Sequence, residues 1–313
     1  NSSNFTQPGY RNARSFDESF SSTSQPLSQN VGGGPHPYPV IVESDGAQVF
    51  AYVLGKSGTA GRYCFDYGNP GRYSIAWTNA AADEPFTDDN EAIGNWAAAA
   101  KQVMGDTSKR LYAAWIYNTD AYVDLYSGSA WTTDTLISAS AALAEDVTIA
   151  AGDDNWDADT NDDLIVVWSD RRNGYSQIYA DWSRDAGTTW QTDIQVLGTA
   201  TRYYDQDSPS VTIGQEDGKV HLAWRDMRFG TSSIFYIQGI YAAAGISWGT
   251  DADEDGVMDA AEVGDYLQVD DDTHDAVQKD PDIAVDRYGN VICVWQDTFT
   301  GNVRSAALLY NID

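Results

Sequence analysis

The chain has 313 residues, 47 acidic against 18 basic, and a formal net charge of −29. Charge of that sign and size excludes nucleic acid and anionic membrane surfaces as partners, because most of the molecular surface would repel them. No apolar stretch approaches the roughly 18 to 20 residues that span a bilayer, and the first residues lack a charged-then-apolar leader pattern, so the chain reads as a soluble, mature form.

Residues 1–23 are rich in Ser and Asn and carry few core-forming side chains. They are expected to be a leader extension, or an arm that docks on a second copy of the chain. From residue 24 onward a single domain is expected, organised by a repeat of roughly 50 to 70 residues. Each copy has an apolar strand, an Asp/Gly/Asn turn, and a second strand ending near an aromatic residue, followed by a polar loop. The first copy is PYPVIVESDGAQVFAYVLGKSG from Pro37, with Tyr52 near the aromatic position. KRLYAAWIYNTD places Trp115 there, and the copies beginning at Glu145, Ser208 and Asp280 place Trp168, Trp224 and Trp295 there.

Third strands follow from Arg62, Ala121, Tyr175, Ser232 and Val303, and fourth strands are expected near Tyr73, Trp131, Trp190 and Tyr266. The stretch NWAAAAKQVM from Asn95 could be helical by its alanines, but in this repeat it reads as an inner strand of small residues. The fold class is therefore all-β: a β-propeller of four-stranded antiparallel blades. Five blades is the count, with six as the alternative if the long connections hide another. The last copy ends without a fourth strand. The segment SQPLSQN from Ser24 is expected to supply it, closing the ring and covering both edges.

Residues 183–190, SRDAGTTW, match the pattern S-x-D-x-G-x-T-W in full. Here the chain resembles the sialidase-like propellers that carry this Asp-box (BNR) repeat. The resemblance is best from about residue 145 onward and implies an architectural turn between third and fourth strands. In it Ser183 and Asp185 would bond the turn amides, Gly187 would permit the bend, and Trp190 would pack between blades. A degraded copy is YAAAGISW, residues 241–248. Sialidases have six blades, and their chemistry needs three arginines on one carboxylate, a tyrosine nucleophile with an acidic partner and a separate acid. No such spacing stands out here.

The sharpest chemical motif is DADEDGVMDAAE, residues 251–262, an EF-hand-like calcium loop at every constrained position. Asp251, Asp253 and Asp255 offer hard oxygens at positions 1, 3 and 5, and Val257 offers its carbonyl at 7. Asp259 stands at 9, and Glu262 can close the site in bidentate fashion. A second, looser candidate is NWDADTNDDL, with Asn155, Asp157, Asp159 and Asp163 at positions 1, 3, 5 and 9; Thr160 replaces the turn glycine. One Ca2+ is expected, and a second is possible on this reading. Both loops interrupt connections on one face of neighbouring blades, so calcium is expected to hold long loops rather than to take part in chemistry.

The opposite face, built from second-to-third and fourth-to-first connections, is where propellers usually bind ligands. Arg172, Arg225, Arg228, Tyr203, Tyr204 and Trp96 are the candidate ligand-binding residues there, since aromatic faces stack on sugar rings and guanidinium groups bind hydroxyls or acidic substituents. Asp170, Asp226 and Asp297 recur at one repeat position, which favours capping the loop or pairing with arginine over catalysis. A paired-carboxylate glycosidase could still draw on Glu84, Glu91, Asp170, Asp226 or Asp297, because the required separation of ~5 to 9.5 Å is set by the fold. Three functions remain open: a secreted, calcium-stabilised propeller that binds glycans or another extracellular surface ligand; a sialidase-like glycoside hydrolase or lyase; and a structural subunit of an extracellular filament or surface layer. Cys64 and Cys293 both lie in strand-like apolar runs, as buried thiols or as one bridge.

Overall fold

The computed structural model describes residues 9–10, 25–26, 31–32, 38–44, 48–57, 63–70, 75–77, 84–85, 95–100, 111–126, 131–139, 141–152, 162–197, 203–214, 218–242, 245–251, 262–270, 277–286, 289–297 and 302–308. All regular secondary structure among them is β. Two compact units emerge, one of Asn1–Ala92, Ala98–Ala113 and Asp124–Asp134, the other of Ile93–Ala97, Ala114–Val123 and Thr135–Asp313.

In the first unit β1 (Gly9–Tyr10) pairs with β2 (Gln25–Pro26). A larger antiparallel sheet contains β3 (Val31–Gly32), β4 (Tyr38–Ser44), β5 (Gln48–Ser57), β6 (Tyr63–Pro70), β7 (Ile75–Trp77) and β8 (Glu84–Pro85). A four-stranded sheet, whose residues are divided between the two units, has β9 (Trp96–Ala100), β10 (Leu111–Tyr117), β11 (Asp120–Tyr126) and β12 (Thr135–Leu136) in spatial order β12-β11-β10-β9. The alanine run is thus a strand.

The second unit carries three consecutive sheets. Sheet I is β13 (Ala144–Gly152), β14 (Asp163–Asp170), β15 (Gln177–Ser183) and β16 (Ile194–Gln195), in that spatial order. Sheet II is β17 (Gln206–Ile213), β18 (Val220–Asp226) and β19 (Ser233–Ala242), with β20 (Gly245–Gly249) and β21 (Leu267–Gln268) both pairing with β19. Sheet III is β22 (Gln278–Val285), β23 (Val291–Asp297) and β24 (Asn302–Leu308). Among the described residues no strand adds to β24, and Gln25–Pro26, expected to lie beside it, pairs with Gly9–Tyr10 instead.

Strand alternation explains how these sheets stack. On β18, Val220, Leu222 and Trp224 point to one side and join Ile165, Val167, Ile178 and Trp182 of sheet I in one core. Ala223, on the other side, joins Ile283, Cys293 and Trp295 of sheet III. The second-strand tryptophans of sheets II and III therefore each face the sheet before their own. Gly152 lies where β13 and β17 approach: a Cβ there would sit 2.6 Å from Ile213 Cγ2, which only glycine avoids. Cys293 is a free thiol buried in the second core, and that burial pushes its pKa up to about 12.

The three inner strands share a local irregularity. Register shifts fall between Ala144 and Val147, Asp207 and Ser210, and Lys279 and Asp282, one bulge near the start of each first strand. Ser208 and Asp280 within them have φ of 51°. A bulge re-aims the side chains around it, and non-glycine residues at positive φ tend to persist where surroundings over-determine them.

Candidate ligand-binding face

The register fixes which loops meet. Ala144 opposes Asp170, Gln206 opposes Asp226 and Gln278 opposes Asp297, so at one end of each sheet the first strand starts where the second strand stops. The second-to-third and fourth-to-first connections of the three sheets therefore share that end. Backbone bonds stitch them together: Gln206 N donates to Ser176 O, Met227 N to Asp205 O and Gln278 N to Ser232 O.

Beneath these loops lies a repeated clamp. In sheet I, Trp168 Nε1 donates to Asp170 Oδ2 at 3.2 Å, and the Arg172 backbone N–H and guanidinium both donate to the same carboxylate. In sheet II, Trp224 Nε1 donates to Asp226 Oδ2 at 3.2 Å, and Arg228 binds Asp226 through its backbone N–H and its guanidinium. Arg172 then lies over Tyr179, 4.1 Å from the ring centroid, and Arg228 over Tyr266 at 4.2 Å and Phe235 at 4.6 Å. Burial opposes the charged form of Asp170, but the hydrogen bonds from Arg172 outweigh it and hold the carboxyl below its usual range. Asp170 and Asp226 are both 0% exposed, so each braces its loop from inside, and Asp297, at the corresponding place in sheet III, is 0% exposed as well.

The structure places the expected ligand-binding residues in different settings. The Arg172 side chain is 13% exposed and is shared between Asp170 and Asp193, while that of Arg228 is 7% exposed on Asp226. Both guanidiniums lie on carboxylates of the protein. Arg225 forms a fork with Asp207, its hydrogen bonds to that carboxylate raising its pKa, with Asp280 and Asp146 as further charges on it. Trp96, expected on the face, is buried at the start of β9.

What the loops do expose is aromatic. Tyr203 (57%) and Tyr204 (44%) stand in the connection from sheet I to sheet II, Tyr175 (46%) in the second-to-third loop of sheet I, and Phe229 (64%) in that of sheet II. Leu143 and Val277, just before β13 and β22, are also exposed. The two tyrosines were expected; Tyr175 and Phe229 were not singled out. The signal that finds them is an aromatic beside a turn glycine, since Gly174 (φ 99°) and Gly230 (φ 87°) take left-handed conformations that turn the loop outward.

Asp205 locks this segment in place. Its Oδ1 accepts from Arg171 Nη1 at 3.0 Å and from Ser176 N at 2.9 Å, and Arg171 Nε reaches Glu145 at 2.8 Å. Gln177 Nε2 donates to Tyr204 O, so the aromatic pair sits on a backbone held from both sides. Toward the inner strands lie more acceptors: Asp146 receives Asn95 Nδ2 at 3.0 Å and Ser208 N at 3.2 Å, and Asp282 receives Ser210 Oγ at 3.1 Å. Carboxylates edged by exposed rings are suited to polyhydroxyl ligands.

The other end of the sheets holds turns. Ser183 Oγ accepts from Gly187 N at 2.8 Å, Asp185 Oδ1 accepts from Thr189 N at 2.7 Å, and Trp190 Nε1 donates to Gly187 O at 3.1 Å. In sheet II the fourth strand is split: β20 ends at Gly249 and β21 begins at Leu267, with the acidic insertion between. Thr250 N donates to Glu262 O at 3.3 Å and Gly264 N to Trp248 O at 2.8 Å, so the first and last residues of that twelve-residue segment stand side by side. Asp251 is 0% exposed, with its Oδ2 2.7 Å from Lys219 Nζ. Asp253, Asp255, Val257 and Asp259 lie outside the described residues, as do Asn155, Asp157, Asp159 and Glu91; Asp163 begins β14 opposite Gly152. Of Glu84 the structure describes only its place in β8.

Comparison with known proteins bears on the fold. No protein family matches the sequence, and no curated protein matches it. Among solved structures, the α-L-arabinanase of Penicillium chrysogenum complexed with arabinobiose is 14% identical at a TM-score of 0.50, over 87% of this chain and 81% of that one. A triple arginine-to-alanine mutant of AofleA from Arthrobotrys oligospora is 12% identical at 0.51, over 94% and 74%. The Aleuria aurantia lectin, in complex with Fucalpha1-6GlcNAc, is 10% identical at 0.47, over 90% and 76%. Sialidases also match, at 0.45 and 0.46, and the chain spans 34% of the length of one, NanB from Streptococcus pneumoniae. At these identities the likeness concerns architecture: an all-β chain of antiparallel, largely four-stranded sheets with β-propeller neighbours.

Proposed function

We propose that the chain is a secreted five-bladed β-propeller that binds glycans across the loop end of sheets I to III. The observation that carries this is the exposure of Tyr175, Tyr203, Tyr204 and Phe229 on connections that the register brings to one end, over a buried scaffold of Asp–Arg clamps. Exposed rings on a rigid backbone offer stacking area at low cost in conformational entropy. Arabinobiose bound to one propeller neighbour and Fucalpha1-6GlcNAc to another are in keeping with a sugar as the ligand class. The test is a glycan array probed with the wild type and with Tyr203→Ala/Tyr204→Ala. Retained signal in the variant, or none in the wild type, overturns the reading.

A second reading, glycoside hydrolysis, is favoured by one observation: Asp146, Asp207 and Asp280 lie at or beside the inner-strand bulges around Arg225. Prolonged incubation with any glycan that binds, followed by chromatography of the products, separates the two. Intact glycan rules out hydrolysis.

The reading includes calcium in the 251–262 insertion. Asp251 and Glu262, first and last of the expected ligands, lie at the base of the insertion, where Thr250 N donates to Glu262 O, as a closed loop requires; calcium would share or displace the Lys219 ammonium now on Asp251. Calcium would cross-brace the insertion and neutralise its repelling acids. A thermal melt with and without chelator tests this, and an unchanged midpoint contradicts it.

A further inference from the structure

We infer that the face selects uncharged glycans and rejects those carrying carboxylate, sulfate or phosphate. This rests on the glycan-binding reading above and narrows its substrate class. Every arginine on the described part of the face already serves a carboxylate of the protein. Arg171 bridges Glu145 and Asp205, Arg172 holds Asp170 and Asp193, Arg225 holds Asp207, and Arg228 holds Asp226. An acidic sugar would have to compete with these carboxylates for a guanidinium, and at Arg172 and Arg228 displacing Asp170 or Asp226 would leave a buried charge unpaired.

The remaining charge points the same way. Asp280 and Asp282 are exposed near the start of β22 and Asp146 is half-buried near that of β13, while Lys279 is the one further cation in these inner-strand starts among the described residues. A ligand anion brought to the tyrosines would meet this acidic field on a chain of net charge −29. Like charges close together at a protein surface repel, and the repulsion weakens as salt screens it, so these carboxylates disfavour an anion most at low salt. Sugar hydroxyls, by contrast, donate to carboxylates. The same residues that repel an acid are acceptors for a neutral ring, and the exposed tyrosines supply the stacking surface.

The experiment uses matched pairs on one array, each a neutral oligosaccharide and its counterpart bearing one added sialic or uronic acid, at low and at physiological salt. The neutral member should bind at least about tenfold more tightly, with the gap narrowing as salt rises. Glu145→Gln, an exposed change that releases one contact of Arg171, should narrow the gap at constant salt. Equal or tighter binding of the acidic member overturns the inference and leaves glycan binding standing. Absence of binding to every member overturns both.

Discussion

Arg228 and Phe229 are adjacent on one loop, and Arg172 and Tyr175 are three residues apart on its counterpart, yet they belong to different worlds. The arginines are drawn inward onto carboxylates that are 0% exposed and covered by aromatic rings. The aromatics, which hydrophobicity alone would bury, are turned outward. In these loops the charged residue is structural and the apolar one is available for recognition. An aspartate fixed by the repeat calls its arginine inward, because a buried carboxylate costs far more unpaired than paired. A glycine beside each aromatic turns the backbone away from the core.

The comparison breaks most visibly if the clamp is not a clamp. Arg228→Ala strands the Asp226 carboxylate and should cost about 3–5 kcal/mol in urea unfolding, with Arg172→Ala close to it. Arg171→Ala, which cuts only half-exposed pairs, should cost about 1 kcal/mol or less. Similar losses for Arg171 and Arg228 would erase the distinction.

A buried carboxylate without an arginine sharpens it. Asp181 is 1% exposed, and burial, with the charge of Asp193 adding to it, pushes its pKa up to about 7. The folded state thus holds a proton that the unfolded chain releases near 3.8. The associated stability is complete below about pH 4 and is lost as pH rises to about 7. Asp181→Asn should therefore leave stability at pH 4 nearly unchanged and raise it at pH 8 by about 2–4 kcal/mol, read from denaturant midpoints. A gain equal at both pH values would refute the assignment.

The outward residues should behave in the opposite way. Tyr203→Ala and Tyr204→Ala should move stability by about 0.5 kcal/mol or less and weaken a bound glycan at least about fivefold. Calorimetry and titration on the same samples check both. The smallest expected effect is at Cys293, whose thiol should resist alkylation in buffer and react once urea opens the core.

Much of this was legible in the sequence. Apolar alternation and the recurring Trp168, Trp224 and Trp295 located the second strands, and Gly187 with Asp185 located a turn between third and fourth strands. The recurrence of an aspartate at one repeat position pointed to pairing with arginine, as Asp170 and Asp226 do. The inward placement of Arg172 and Arg228 was not legible, because a one-dimensional pattern names the connection on which a residue lies and not the direction its side chain takes.

Composition and repeat therefore determined the class of fold, the order of strands and the acidic character that limits partners, since these depend on local periodicity and summed charge. Tertiary structure alone decided which loop residues turn inward. That choice depends on which carboxylate or ring waits beside the loop, a neighbour supplied by a later segment of the same sheet, such as Asp193 and Tyr266, tens of residues away.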